Sequence, residues 1–152
     1  MRSGPRIGIV GAGFAGLCAA IRLQRAGFGE FTLFERAADI GGTWRDNTYP
    51  GCACDIPSNL YSFSFEPNPE WTRMYPQQGE IHAYLRRVVE KYGLRSRLRF
   101  GKELAEARYD EAACAWDLRF RDGATERVDI LIAATGPLSK PALPKIAGLD
   151  AF

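Results

Sequence analysis

Gly11, Gly13 and Gly16 stand two and three residues apart in the run Gly11-Ala12-Gly13-Phe14-Ala15-Gly16, and a carboxylate, Glu35, follows 19 residues after Gly16. Each residue type suits one contact. Glycine at 11 permits a tight turn, glycine at 13 lets a phosphate approach the backbone, and glycine at 16 lets a helix pack close to a sheet. The amides at the start of that helix, with the partial positive charge of its N-terminus, would face a pyrophosphate. A carboxylate about 20 residues further on is placed to accept a ribose hydroxyl. Together these residues point to a dinucleotide. A structural turn that binds nothing is the competing reading, because glycine-rich turns are common.

Context separates the two. The apolar run Ile7-Gly8-Ile9-Val10 precedes the turn and reads as a strand. Leu17, Ala20, Ile21 and Leu23 follow at the spacing of one helical face, and Gly27 closes that helix. A second apolar run, Phe31 to Phe34, ends on Glu35. Strand, glycine turn, helix, strand and acid in this order predict the opening βαβ unit of a Rossmann-like α/β domain.

The 152 residues suit one domain with a real core. Hydrophobic residues at 46% and charged residues at 25% are ordinary for a soluble globular chain. A net charge of +2 gives no reason to expect nucleic acid or a membrane surface as a partner, and no run reaches the roughly 20 apolar residues of a membrane span. Arg2 and Arg6 before an apolar stretch imitate a signal peptide, but the glycines, Arg22 and Arg25 fit the nucleotide fold better. The expected location is the cytoplasm. Cys18, Cys52, Cys54 and Cys114 read as reduced thiols. Cys52 and Cys54 form a CxC pair without the further ligands of a structural zinc site, so no metal is expected.

Residues 36–51, with Gly41-Gly42, Asn47 and Pro50, read as a long functional loop and not a buried regular element. Trp44 there is suited to covering a flat ring. Asp55, between a loop and Pro57, either holds a ligand hydroxyl or caps its local turn. The alternation Tyr61-Ser62-Phe63-Ser64-Phe65 predicts a short strand with an aromatic face. Ile81, Leu85, Val88, Val89 and Tyr92 mark an amphipathic helix ending before Gly93, with His82 just off its apolar face as a solvated or locally bonded residue. Short strands follow at Leu98 to Leu104, Ala107 to Tyr109, Ala115 to Phe120 and Val128 to Ala134, forming a small antiparallel meander. The last, apolar throughout from Ile130 to Ala134, is expected to be a central parallel strand buried on both faces. Residues 1–136 form the predicted domain, and 137–152, with Pro141 and Pro144, a linker leaving it.

With these pieces in order, the chain resembles the N-terminal part of the flavin-dependent monooxygenases, including the Baeyer–Villiger and flavin-containing monooxygenases. The GAGFAG turn with Glu35 is shared by many flavoproteins. The run from Gly41 to Phe65 is narrower and looks like this family's flavin-side loop, although Thr48 stands where many Baeyer–Villiger members have arginine. The helix start at Gln78-Gly79-Glu80-Ile81 and the strand end Ala134-Thr135-Gly136 agree with it. The resemblance implies FAD, held at the pyrophosphate by Gly11, Ala12, Gly13, Phe14, Ala15 and Gly16 and at the adenosine ribose by Glu35 and its neighbour Arg36. It places Gly42, Thr43, Trp44, Asp55 and Tyr61 toward the flavin half, Leu104 at the adenine, and Thr135 and Gly136 near the cofactor.

In this family NADPH reduces the flavin, whose C4a-peroxide or hydroperoxide then oxygenates a ketone or soft heteroatom of a small organic substrate. No residue of this chain is assigned to catalysis. The resemblance also implies that the NADP-binding domain and the returning strand of the FAD domain lie beyond residue 152, supplied by a C-terminal segment or a second chain. Weak FAD binding and no NADPH-driven oxygenation are therefore expected of this chain by itself. Two other readings stay open: an FAD-binding fragment of another flavin oxidase or reductase, and a non-catalytic nucleotide-binding remnant.

Overall fold

The computed structural model describes residues 4–138 and 142–151. The first strand, β1 (Ile7–Val10), is buried at all four positions. Helix α1 (Phe14–Arg25) then crosses over to β2 (Phe31–Phe34), which pairs with β1 in parallel, Ile9 beside Leu33. Leu17, Ala20 and Ile21 are the face of α1 turned to the sheet. The helix ends where Gly27 takes a φ of 85°. There the Phe28 amide donates to Leu23 O at 3.0 Å and the Gly27 amide to Gln24 O at 3.1 Å. This paired closure satisfies two carbonyls the helix would otherwise leave open, and it needs a residue that tolerates positive φ.

The Gly41-Gly42 loop contains a short helix, α2 (Thr43–Asp46), and the chain reaches α3 (Gln78–Lys91) through turns. Ile81, Tyr84, Leu85, Val88 and Val89 are its buried face. After it, β3 (Leu98–Arg99) adds in parallel to the outer side of β2. Strands β4 (Leu104–Asp110), β5 (Ala115–Phe120) and β6 (Thr125–Val128) form a separate antiparallel sheet, and β7 (Ile130–Ala133) returns to pair in parallel with β1. The two sheets run β3-β2-β1-β7 and β4-β5-β6.

Alternation along the strands makes the parallel sheet a middle layer. Ile7, Ile9, Phe31 and Leu33 pack in one core with Leu17, Ile21, Ile81 and Leu85 from the helices. Phe34 points the other way, into a second core with Leu118, Phe120 and Val128. Its ring lies 4.9 Å from that of Phe120, and Gly8 leaves room on the same face for Val128.

Several expectations change. Tyr61 to Phe65 is not a strand: Phe63 makes an isolated bridge with Glu66, and its amide donates to the Tyr84 hydroxyl at 2.9 Å. A local alternation without a neighbouring backbone to pair with folds into a turn. The rings of Phe63 and Phe65 stack at 5.1 Å as core packing. The run from Leu98 to Leu104 splits between the two sheets at Gly101-Lys102. Val128 to Ala134 likewise splits between β6 and β7 at Asp129, whose carboxylate accepts the Arg6 amide at 2.7 Å. Strand β7 is an edge and not a centre, and Ile130 is 43% exposed, because no strand pairs with its outer side among the described residues.

Ser139, Lys140, Pro141 and Phe152, part of the expected linker, lie outside the described residues, as does Arg2. Residues 142–148 carry no helix or strand, and a 3-10 turn follows at Leu149–Ala151. Among the described residues no helix is long and apolar enough to cross a membrane.

Gly16 and Gly79 bracket what glycine does here. A Cβ on Gly16 would overlap the Gly11 carbonyl oxygen, whereas one on Gly79, inside α3, would meet nothing within 4 Å. In urea unfolding, Gly16→Ala should cost about 3 kcal/mol or more through overpacking. Gly79→Ala should add about 0.5–1 kcal/mol through helix propensity.

Candidate functional site

The turn between β1 and α1 is held from three sides. Gly11 takes a φ of 104° and donates to Phe34 O at 2.8 Å, and a Cβ there would overlap Ala134 O at the end of β7. The Ala12 amide donates to Glu35 Oε2 at 2.9 Å, and Ala12 O accepts the Gly41 amide at 2.9 Å. Gly13 is the residue capping α1, with extended backbone and no side chain to satisfy the helix amides. The Leu17 amide bonds to Gly13 O at 3.0 Å, so the amides of Phe14, Ala15 and Gly16 precede the first turn's closure. The first turn of α1 contains no acidic residue, so no side chain of that turn offsets the positive end of the helix.

Gly13 differs from its two neighbours in the motif. A Cβ on Gly13 would come only to ordinary contact, 3.8 Å from Gly42 Cα. The fold itself therefore requires glycine at 11 and 16 but not at 13. The half-buried Gly13 backbone beside an uncapped helix end fits a pyrophosphate that needs that room.

Glu35, at the end of β2, is 4% exposed. Its Oε2 accepts the Ala12 amide, while Oε1 accepts the Ala37 amide at 3.0 Å and Arg45 Nη1 at 2.9 Å. Arg45, on α2, also donates to Asp39 O at 2.7 Å and, through Nε and Nη2, to both oxygens of Asp46. Burial opposes the charge on Arg45, yet the hydrogen bond to Asp46 and the charge of Glu35 hold its pKa above the ordinary arginine value.

Gly41 and Gly42 bring a second backbone segment against the first. A Cβ on Gly42 would stand 3.4 Å from Gly13 Cα, and one on Gly41 would press on the His82 ring. His82 Nε2 lies 3.0 Å from Ile40 O, so it is a locally bonded residue that ties α3 to this loop. Gln78, at the start of α3, donates to Trp44 O. Trp44 is buried, and its Nε1 donates to the Tyr61 hydroxyl at 2.9 Å. Phe14 packs edge-on against Tyr61 at 5.2 Å. Burial raises the pKa of the Tyr61 hydroxyl.

The structure thus gathers Gly11 to Gly16, Glu35, Gly42, Trp44 and Tyr61 around the ends of β1 and β2. Thr43 and Ala15 are exposed beside them. Arg36 is exposed and its Nη2 reaches Asp46 Oδ2 at 3.3 Å. Thr135 follows Ala134 against Gly11, and Gly136 continues outward. Leu104 opens β4 two residues after Lys102, whose amide donates to Glu35 O at 2.8 Å. Asp55 is exposed, and its charge bears on Tyr61. Cys52 and Cys54 are buried in the main core, where the Cys54 sulfur accepts the Ile56 amide at 3.4 Å. The loop expected to be irregular carries α2. Arg45 was invisible to pattern reading. Its one signal is that a buried carboxylate needs a cation, and nothing periodic says which.

Residues 9–77, from β1 past Tyr61, match the family described as an NAD(P)-binding Rossmann-like domain. A Baeyer–Villiger monooxygenase of Streptomyces coelicolor is 51% identical over 147 residues, which are 97% of this chain and 28% of that protein. One of Pseudomonas aeruginosa is 46% identical over 147 residues, with the same two shares. The solved OTEMO complex with FAD and NADP matches with a TM-score of 0.87 at 32% identity, over 98% of this chain and 29% of that one. The chain resembles Baeyer–Villiger monooxygenases over nearly its whole length. Oxidized steroid monooxygenase bound to NADP gives a TM-score of 0.85 at 38% identity, over 96% of this chain and 28% of that one. The chain therefore spans under a third of the length of these relatives.

The Arg45 network has an acid limit. The hydrogen bond from Arg45 holds the Asp46 carboxyl below its ordinary 3.8, against the opposing effect of burial. A carboxylate with a depressed folded-state pKa stabilises the fold above its unfolded value and loses that contribution as pH falls through the folded value. Wild type should therefore be more stable than Asp46→Asn near neutrality, with the difference shrinking once pH falls below 3.8 and gone below the lowered folded-state value. Urea unfolding of both proteins across that range checks it.

Proposed function

We propose that this chain is the FAD-binding portion of an NADPH-dependent flavoprotein monooxygenase. The observation that carries the reading is Gly13: the fold has room for a side chain there, yet glycine stands beside an uncapped helix end. The relatives' names and the FAD and NADP in the OTEMO complex supply the rest.

In this reading the amides from Gly13 to Gly16 bind the pyrophosphate, with Gly11 and Ala12 shaping the turn. Glu35 accepts from the adenosine ribose, Arg36 lies beside it, and the backbone at Leu104 meets the adenine. Gly42, Thr43 and Trp44 line the flavin half, with Trp44 held by Tyr61 and covered from the core side. Asp55 stands at the far end of that half, and Thr135 and Gly136 close the cofactor from the end of β7. Bound FAD supplies the redox chemistry: two electrons from NADPH let one atom of O2 enter a ketone or soft heteroatom of a small organic substrate while the other leaves as water. This chain's residues bind, orient and keep water from the buried side of the cofactor. We place the protein in the cytoplasm, a reading supported by the free thiols of Cys18, Cys52, Cys54 and Cys114.

Titration of the chain with FAD, followed by flavin absorbance and fluorescence, tests the assignment. Wild type should bind saturably. Gly13→Ala should lose no more stability than alanine at a helix N-cap costs, about 1 kcal/mol, but weaken FAD by about tenfold or more, a loss of about 1.4 kcal/mol. Equal FAD affinity in the two proteins would sink the reading.

A further inference from the structure

We propose that Arg45 is a positioning residue that fixes Glu35 so that one acceptor position, on Oε2 beside the Ala12 amide, is presented to the adenosine ribose. The proposal rests on the reading of Glu35 as the ribose-facing carboxylate and says how many hydroxyls it can take.

A carboxylate offers about four acceptor positions. Among the described residues Oε1 has two donors, the Ala37 amide and Arg45 Nη1, and Oε2 has one, the Ala12 amide. The position left is on Oε2, next to the glycine turn. Neither oxygen is free to rotate away, because two of the three donors are backbone amides of fixed direction. The third is locked from behind. Arg45 is anchored by Asp39 O at 2.7 Å and by the two-pronged pair with Asp46, and its side chain is only 14% exposed. A guanidinium held at its other prongs is a rigid stop, which a flexible ammonium would not be.

The consequence is recognition of one ribose hydroxyl and not of the vicinal pair. Both hydroxyls together would require Arg45 to release Oε1, breaking a buried ion pair. Arg45 also couples the two halves of the site, since the same side chain fixes the end of β2 and the helix that follows Gly42.

The test uses the full chain, wild type, Arg45→Met and Arg45→Lys, the last keeping a cation in place should the methionine variant fail to fold. Amide hydrogen exchange without cofactor comes first. At Ala12 and Ala37 exchange should quicken about tenfold in either variant while Ile9 and Leu33 stay unchanged. The second reading is affinity for FAD and for its analogues lacking the 2′ or the 3′ hydroxyl of the adenosine ribose. In wild type one analogue should weaken about tenfold or more and the other stay near FAD, as loss of one hydrogen bond to a charged group requires. In the variants that selectivity should disappear.

Unchanged exchange at Ala12 and Ala37 overturns the proposal whatever flavin does. Equal weakening of both analogues in wild type overturns it too, because Glu35 would then hold both hydroxyls. Altered exchange without any FAD uptake by wild type defeats the cofactor reading, and the ribose role with it, leaving Arg45 as a structural clamp.

Discussion

Glu35 carries a negative charge into a place where water scarcely reaches, and much of the surrounding structure follows from that. A buried carboxylate stripped of partners costs several kcal/mol, so the chain must bring donors to it from three directions. The glycine turn supplies the Ala12 amide, the start of the next loop supplies the Ala37 amide, and α2 supplies Arg45. Each donor constrains something else. Arg45 can reach only if α2 forms directly after Gly42, and α2 stays there because Gly41 lies against His82 and Gln78 holds Trp44 O from α3. One charge thus links the parallel sheet, the loop and the helix behind it.

The parts legible in the sequence were those decided by near neighbours. The unit from Ile7 to Glu35 reads correctly because its strand, glycines, helical face and closing Gly27 are all local signals. The apolar face of α3 is equally plain from its spacing. The errors lie where pairing with distant backbone decides. Tyr61 to Phe65 alternates like a strand, but Tyr84 captures the Phe63 amide. The apolar strand β7 looks central by composition, yet composition cannot tell which strands flank it. Leu98 to Leu104 divides between two sheets because Leu98 and Leu104 meet different partners, Leu33 and Phe120. Within the site, the glycines and Glu35 were visible and Arg45 was not, since an arginine in a loop shows no period.

The two layers around the parallel sheet serve the site differently. The helical side, with Ile81, Leu85 and the aromatic group of Phe14, Phe63 and Tyr84, forms the larger core and fixes the glycine loops from below. The antiparallel sheet braces the opposite face through Phe34 and Phe120 and brings the backbone near Lys102 to Glu35 O. The ends of β1 and β2 are held from both faces, which suits a site that must keep backbone amides at fixed positions.

The three glycines of the turn answer to different pressures, and this leaves a trace that outlasts function. Gly11 and Gly16 are imposed by neighbouring backbone, so any descendant that still folds must keep them. Gly13 has no such guardian. In a lineage released from holding a nucleotide, drift would replace it early, because helix-capping residues other than glycine stabilise that position more. A change at Gly13 with Gly11 and Gly16 kept would therefore mark a chain that keeps the fold without the turn's room for a ligand.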